Sequence, residues 1–195
     1  MYDNMKNDFQ EETMDYRENG YEENNRMRNP YLSMTGRIVS IEAAGFRGIG
    51  ANDCQLRVGV ETVEGGLTNF IVSPSTYMVN FETLQEGMTA TFYHRADVPV
   101  PMIYPPQYNA VVVAPQMSEG QVFVGRFNAS LISEDMGLQL NMSGDTKVVT
   151  TNNQVFKGNI ANHDLVVVYR YTTRSIPPQT TPEMVVVLCG QGENE

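Results

Sequence analysis

Long apolar runs are absent from this 195-residue sequence. No stretch approaches the roughly 18 residues that a membrane-spanning helix needs. The N-terminus is polar and acidic and lacks the basic-then-apolar pattern of a secretory signal. We therefore expect a cytoplasmic protein that does not contact a membrane, although incorporation into a surface structure by a non-standard route stays open.

Basic residues are scarce. Lys and Arg number 13 against 23 Asp and Glu, so the formal net charge is −10 and the sequence pI is near 4.6. Proteins that coat nucleic acids bind mainly by neutralising phosphates with Lys and Arg. The composition therefore argues against nucleic acid as the partner.

Cysteine and histidine are nearly absent too. Cys54 and Cys189 are far apart and belong to no metal-ligand spacing. We expect buried free thiols beside or within strands, with a disulfide as the alternative. His94 and His163 each have only one acidic residue nearby, which is fewer ligands than a protein metal site requires. The sequence predicts no metal and no cofactor.

Catalytic motifs are missing as well. The sequence contains no nucleophile elbow, no metalloprotease helix motif, no P-loop and no dinucleotide fingerprint. The glycine-rich residues 45–50 lack the Lys-Ser/Thr ending and the following helix of a phosphate loop, so they are interpreted as a flexible connection. Glu134-Asp135 falls in a predicted turn, not in the dry cleft that acid–base catalysis needs. We therefore predict that the protein is not an enzyme.

What the sequence does contain is one β-pattern used twice. Residues 88–114 predict two strands, at 89–94 and 110–114, joined by a long proline-rich loop. Residues 165–188 repeat this pattern. The triplet Pro-Pro-Gln occurs at residues 105–107 and 177–179, and the pair Gly-Arg at residues 36–37 and 125–126. These recurrences predict one β-unit present in two copies.

The two copies define the predicted domains. The first unit is placed at residues 35–116 and the second at residues 117–190, followed by a C-terminal tail at residues 191–195. Five strands in the order strand, hairpin pair, short helix and hairpin pair form the pattern of an OB-fold, a small partly open Greek-key barrel. In the first unit, Ser73-Pro74 predicts a short helix or turn through about Asn80. The predicted fold class is all-β, with two tandem OB-like β-barrels that pack together because units of this size have marginal cores.

Residues 1–34 have a different composition, rich in Asn and Glu, with eight acidic and four basic residues. Such a segment buries too little apolar surface to offset its chain entropy, so we expect it to be disordered in isolation. Its alternative role is an arm that becomes ordered on a neighbouring subunit or partner. The aromatic anchors of this arm would be Tyr2, Phe9, Tyr16, Tyr21 and Tyr31.

Several segments resemble those of small uncharacterised proteins of anaerobic Gram-positive bacteria with tandem OB-like barrels. They are residues 92–95 (Phe-Tyr-His-Arg), residues 103–108 (Ile-Tyr-Pro-Pro-Gln-Tyr) and residues 172–183, which begin Thr-Thr-Arg-Ser-Ile-Pro-Pro-Gln. The resemblance covers residues 35–188 and leaves out the N-terminal segment. It implies a lineage and no known activity.

The proline loop of the first unit is the best candidate binding surface. Prolines leave it few conformations to lose on binding, and tyrosines offer flat amphipathic faces. The alternative is that the loop only covers the open end of a barrel or packs between the units. In the second unit, Arg170 and Arg174 could bind an anion, and a structural ion pair with Glu183 is an equally reasonable alternative. The candidate residues are Tyr104, Pro105, Pro106, Tyr108, Phe46, Arg170 and Arg174.

Two functions fit this pattern. The first is a non-catalytic structural or protein-interaction module that self-assembles through its N-terminal arm and through strand edges at residues 111–113 and 185–187. The alternative is an OB-like module that binds an oligosaccharide or single-stranded nucleic acid, with Tyr104, Tyr108 and Phe46 as stacking platforms. The acidic composition weakens the nucleic-acid version.

Overall fold

The computed structural model describes residues 29–44 and 54–190. These residues form strands joined by turns and loops, which confirms the all-β prediction. The first half contains β1 (Tyr31–Ala43), β2 (Leu56–Thr62), β3 (Leu67–Val72), β4 (Tyr77–Met78), β5 (Thr89–Arg95), β6 (Gln107–Asn109) and β7 (Val112–Pro115), with a 3₁₀ turn at Val79–Phe81. The second half contains β8 (Gln121–Arg126), β9 (Gln139–Leu140), β10 (Lys147–Thr150), β11 (Asp164–Tyr169), β12 (Gln179–Thr180) and β13 (Met184–Val187).

The strands of the first half form one sheet in the order β4-β7-β5-β1-β2-β3-β6. β6 pairs with β3 at one end of this order, whereas β7 pairs with β5 near the other end. Only Ala110 and Val111 separate β6 from β7, so the sheet has to curl until its two ends approach each other. The pairing is interrupted at that junction, and the described residues form no closed barrel. The structure therefore shows a curled sheet where a barrel was predicted.

The second half pairs its strands in the same order. The sheet β10-β13-β11-β8 corresponds to β4-β7-β5-β1, and the separate parallel pair of β9 and β12 corresponds to β3 and β6. The first strand of each half has its glycine at an equivalent position: Gly36 lies opposite Ala90 in β5, and Gly125 lies opposite Leu165 in β11.

The two proline triplets also lie at corresponding places. The carbonyl oxygen of Pro106 accepts a hydrogen bond of 2.8 Å from the amide of Asn69 in β3. The carbonyl oxygen of Pro178 accepts one of the same length from the amide of Gln139 in β9. Each triplet thus attaches the end of its loop to the same part of its half.

The predicted short helix or turn at residues 73–80 is present only as a turn. The Thr76 amide donates a hydrogen bond of 2.9 Å to the Ser73 carbonyl, and Tyr77–Met78 is the strand β4, which pairs in parallel with β7. Asn80 then has a φ of 58°, which breaks a helical course. In the second half, Gln139–Leu140 pair in parallel with β12, as β3 pairs with β6 in the first half.

Cys54 and Cys189 are exposed and free, so the expected burial of both thiols is wrong. Cys54 lies before β2, and Cys189 follows the end of β13. Both positions are outside the strands, where no facing sheet covers the side chain. The alternative disulfide between them is not formed either.

Four central strands, β5, β7, β11 and β13, carry buried side chains on both faces. Phe92 and Val113 belong to a core of the first half alone, whereas their neighbours Tyr93 and Val112 belong to a core shared by both halves. Side chains of successive strand residues point to opposite faces. In the second half, residues 165, 167, 185 and 187 fill its own core and residues 166, 168 and 186 fill the shared one.

This burial on both faces overturns the prediction that residues 111–113 and 185–187 form exposed edges. β7 lies between β4 and β5, and β13 lies between β10 and β11, so each is paired on both sides. Val112, Val113 and the three valines at 185–187 have no exposed surface. Neither run of valines is open to pairing with another chain.

The first strand begins at Tyr31, inside the segment predicted to be an arm. The Tyr31 side chain belongs to the shared core, and its hydroxyl donates a hydrogen bond of 2.8 Å to Oδ2 of Asp164. Asp164 is 4% exposed, and its carboxylate also lies 3.4 Å from Nη1 of Arg126 and 3.7 Å from Nη1 of Arg95. Burial, followed by the nearby Asp164 charge, raises the pKa of Tyr31, so the phenol stays protonated as the donor. This cluster attaches the start of β1 to the second half.

The contact between the two halves at Asp164 can be tested by removing one hydroxyl. Tyr31→Phe deletes the donor to a buried carboxylate, so we expect the free energy of unfolding to fall by about 1–3 kcal/mol. The matched control is Tyr171→Phe, because Tyr171 is 81% exposed and its loss of a hydroxyl should cost less than about 0.5 kcal/mol. Urea unfolding measures both, and equal stabilities for the two variants would contradict the role of Tyr31.

Candidate functional site

The predicted site residues of the first half lie around the loop of residues 96–106. Tyr104 is 89% exposed, whereas Pro105, Pro106 and Tyr108 are half-buried. Tyr108 lies in β6 with its ring centroid 4.2 Å from that of His94. Phe46 lies outside the described residues, as does the rest of the glycine-rich segment at residues 45–50.

The tip of this loop exposes apolar side chains. Met102 is fully exposed, and Ile103 and Tyr104 are also largely exposed. The loop has internal order, because the Ile103 amide donates a hydrogen bond of 2.9 Å to the carbonyl of Pro101. The Tyr104 side chain helps to line a shallow cavity of about 510 Å³ over the outer ends of β1, β2 and β3. The tip is therefore an ordered apolar surface in contact with solvent.

The predicted residues of the second half do not join this surface. Arg170 forms ion pairs with Glu119, at 3.0 Å, and with Glu183, so its guanidinium already has carboxylate partners. Arg174 is exposed on the loop of residues 170–178 and makes no ion pair with the described residues. Arg170 was predicted either to bind an anion or to form an ion pair with Glu183, and the structure contains the ion pair.

A cleft of about 700 Å³ lies in the first half. One wall is the end of β5, a second is the loop at residues 97–101, and a third is β6. The lining combines apolar and polar groups, namely His94, Arg95, Asp97, Val98, Pro99, Val100, Pro101, Gln107, Tyr108, Asn109 and Val111.

The β6 wall presents main-chain groups to this cleft. β6 bonds to β3 through the carbonyl of Pro106 and the amide of Ala110, which donates to Ile71 at 2.9 Å. The main-chain groups of successive strand residues point in opposite directions. The amide and carbonyl groups of Gln107 and Asn109 therefore face away from β3, and in the described residues they have no main-chain partner.

The end of β5 forms the opposite side of the gap. The carbonyl of Tyr93 accepts a hydrogen bond of 2.8 Å from the Val111 amide, and beyond this point β7 no longer accompanies β5. His94 and Arg95 follow, still paired with β1 on the other side. We call the gap between residues 94–95 of β5 and residues 107–109 of β6 the open slot.

The equivalent gap in the second half is filled by its own loop. The Thr173 amide donates a hydrogen bond of 2.9 Å to the carbonyl of Gln179, and the Gln179 amide donates one of 2.9 Å to Oγ1 of Thr173. The hydroxyl of Thr180 adds a bond of 2.7 Å to the carbonyl of Tyr171. Gln179 corresponds to Gln107, so the main-chain groups that are free in one half are satisfied in the other.

A sequence difference explains why only one gap is filled. Counted back from the first proline of each triplet, Thr173 and Pro101 occupy the same position, four residues earlier. Proline has no amide hydrogen and cannot donate as Thr173 does. The first loop is also longer, with residues 96–106 where the second half has residues 170–178. The slot could have been located in the sequence by aligning the two loops on their proline triplets, which sets Pro101 against Thr173. The predicted site included Tyr104 and its neighbours but not Gln107 or Asn109.

His94 lies at the inner end of the open slot and is 4% exposed. Its Nδ1 is 3.1 Å from the Arg95 carbonyl, and its buried Nε2 has no hydrogen-bond partner among the described residues. Burial lowers the pKa of His94 and outweighs the carbonyl contact, which favours the charged form. The ring is therefore neutral near pH 7, with the proton on Nδ1 as donor to the Arg95 carbonyl.

Comparison with models of known protein families gave no match, and neither did a search of curated proteins. The resemblance to proteins of anaerobic Gram-positive bacteria stays a prediction. Within residues 29–44 and 54–190, no three His, Cys, Asp or Glu side chains gather closely enough to hold a metal ion. No helix in the same ranges has the length and apolar character to cross a membrane.

The buried His94 gives the stability a pH dependence of known sign. Its pKa is lowered in the folded state relative to the ordinary value of 6.5, so the unfolded chain binds the proton more readily. The stabilisation from the neutral ring is therefore complete above pH 6.5 and is lost as the pH falls toward the folded-state pKa, by at most about 1.4 kcal/mol per pH unit. Urea unfolding between pH 7.5 and 5 should show this decline in wild type and in His163→Gln, and His94→Phe should flatten it. A His94→Phe variant with the wild-type slope would contradict this assignment.

Proposed function

We propose that this chain is a non-catalytic protein-interaction module, built of two OB-like β-units, that self-associates through its N-terminal arm and the proline loop of its first half. The observation that carries the proposal is the ordered apolar tip of that loop. Met102, Ile103 and Tyr104 are three consecutive apolar residues with most of their surface in water. Contiguous exposed apolar groups on an otherwise polar surface are typical of protein contact sites.

The architecture of the loop supports this role. Its far end is attached to β3 through the Pro106 carbonyl, and its tip is closed by the bond from Ile103 to Pro101. Prolines at residues 99, 101, 105 and 106 restrict the main chain further. Little conformational entropy remains to be lost on binding, so burial of the tip contributes more fully to affinity.

The position of the N-terminal arm gives a second line of support. The Pro30 carbonyl accepts a hydrogen bond of 2.8 Å from the amide of Ala96, the first residue of the proline loop. Residues 1–28 therefore continue from a point beside that loop, with Phe9, Tyr16 and Tyr21 available as apolar anchors. Arm and loop leave the same end of the first sheet and can contribute to one contact.

The ionisable groups of this region have structural partners, which supports a binding role over catalysis. Asp164 accepts from Tyr31 and faces two arginines. Arg95 lies against both Asp164 and Asp97. His94 is at the inner end of the slot, its ring lies against Tyr108, and no carboxylate of the described residues is hydrogen-bonded to it.

The alternative proposal is an oligosaccharide or single-stranded nucleic acid as ligand. Tyr104 has the free face that stacking requires. Tyr108 is less suitable, because its ring already packs on His94 and lies 5.9 Å from the Phe70 ring. Salt-dependent retention of the protein on single-stranded DNA would favour the nucleic-acid version, and binding to immobilised glycans without such retention would favour the sugar.

Light scattering tests the self-association. The full chain should have a mass above the 21.8 kDa of one copy, and a chain that begins at Asn29 should be monomeric. The truncation starts at Asn29 because Tyr31 is part of the shared core. Circular dichroism checks that the shortened chain keeps its β-structure. Equal monomeric masses for both chains would contradict the proposal.

The loop tip can be tested in the full chain. Replacing Met102, Ile103 and Tyr104 together by Ser removes the apolar surface without touching a buried residue, so we expect association to weaken at least tenfold with little change in stability. The matched control replaces Tyr171 and Ile176 by Ser on the equivalent loop of the second half, where both are exposed. Sedimentation equilibrium compares the two, and equal weakening by both would show that the effect is not specific to the first loop.

A further inference from the structure

The open slot leaves an interrupted ladder between two strands of one sheet. On one side, Gln107 and Asn109 direct their amide and carbonyl groups away from β3. On the other side, β5 has lost β7 as a neighbour after Tyr93 and continues through His94 and Arg95. The space between them is the cleft of about 700 Å³. Main-chain donors and acceptors at such a gap are those that an additional extended segment would satisfy.

We propose that the open slot accepts an extended segment from residues 1–28 of a second copy of this chain, which pairs with Gln107 and Asn109 by strand addition. This inference rests on the proposed self-association and names the place where the arm binds. The two copies would then be joined by main-chain hydrogen bonds in addition to the apolar contact of the loop tips.

The second half of the same molecule shows that an extended segment fits this geometry. There, residues 171–173 lie against β12, and Thr173 exchanges hydrogen bonds with both main-chain groups of Gln179. In the first half, Pro101 stands at the position of Thr173 and has no amide to donate. The open slot consequently needs a hydrogen-bond donor from another segment, whereas the equivalent gap in the second half is filled by Thr173.

The sequence of the arm suits strand addition. Residues 1–28 contain no proline, so every residue after the first can donate an amide hydrogen. Phe9, Tyr16 and Tyr21 can pack on the lining of the cleft, which includes Val98 and Pro99. Fully extended, this segment reaches roughly 90 Å, far enough to enter a neighbouring molecule.

The position where the arm leaves the fold favours a second copy over the same one. Pro30 bonds to Ala96 on the side of β5 that faces β1, whereas the open slot lies on the opposite side of β5. To enter its own slot, the arm would have to reverse and cross over the chain at residues 96–98. The slot of a neighbouring copy can be entered without that crossing.

A pair of proline substitutions in the full chain tests the slot. Gln107→Pro removes the amide that faces the slot and leaves the bonds of Pro106 and Ala110 to β3 in place. We expect self-association to weaken at least tenfold with an unchanged melting temperature. Gln179→Pro is the matched control: its amide is bonded to Thr173 within the molecule, so it should lower the melting temperature and leave self-association unchanged. Equal association of Gln107→Pro and wild type would overturn the inference.

Photo-crosslinking locates the occupant independently of any effect on folding. The full chain with p-benzoylphenylalanine at Asn109 is prepared with ¹⁴N and with ¹⁵N, mixed, incubated, irradiated and digested. We expect cross-linked peptides that join position 109 to residues 1–28, including pairs of mixed isotope content. Pairs within one isotope alone would mean that the arm enters its own slot, and cross-links only to other residues would exclude the arm; either result overturns the inference.

The two proposals fail in different ways. If the full chain is monomeric at all concentrations, both the self-association and the binding of the arm in the open slot are wrong. If the full chain self-associates but Gln107→Pro associates like wild type and position 109 forms no cross-link to the arm, only the binding of the arm in the slot is wrong. The proposal of an interaction module then stands.

Discussion

Buried side chains of β5, β7, β11 and β13 fill two cores at once, and the remaining structure is arranged around that burial. On one face they pack within their own half, and on the other they pack against the opposite half. A unit of about 80 residues has a marginal core by itself. The shared core therefore stabilises both halves together, and pairing on both sides closes the central strands of each sheet to a further strand.

Because the central strands are paired on both sides, a further strand can add only where the strand pairing of a sheet stops. The second sheet ends at β8, but this edge is partly covered: the Val122 carbonyl accepts a bond from the Tyr93 hydroxyl, and the Val124 carbonyl accepts one from the Asn29 side chain, each at 2.8 Å. At the proline loops the two halves differ, because Thr173 completes one gap and Pro101 leaves the other open. The same strand arrangement therefore occurs twice in one molecule, with its gap filled in the second half and open in the first.

The polar cluster at Asp164 links the shared core to this site. It holds Tyr31, the first residue of β1, in the shared core. The start of β1 is next to Ala96, the first residue of the proline loop. The start of β1, the proline loop and the open slot therefore lie at the same end of the first sheet.

The sequence by itself determined the all-β class and the correspondence between the two proline triplets, because alternation and turn residues report local geometry directly. It also directed attention to Tyr104 and the proline loop. Tertiary structure decided the rest. A run of three valines has the same appearance in an exposed edge and in a strand buried on both faces, and only the packing of the halves distinguishes them. The role of Tyr31 depends on a partner 133 residues away, and the slot depends on which strands stop pairing, and neither of these is encoded in a local pattern.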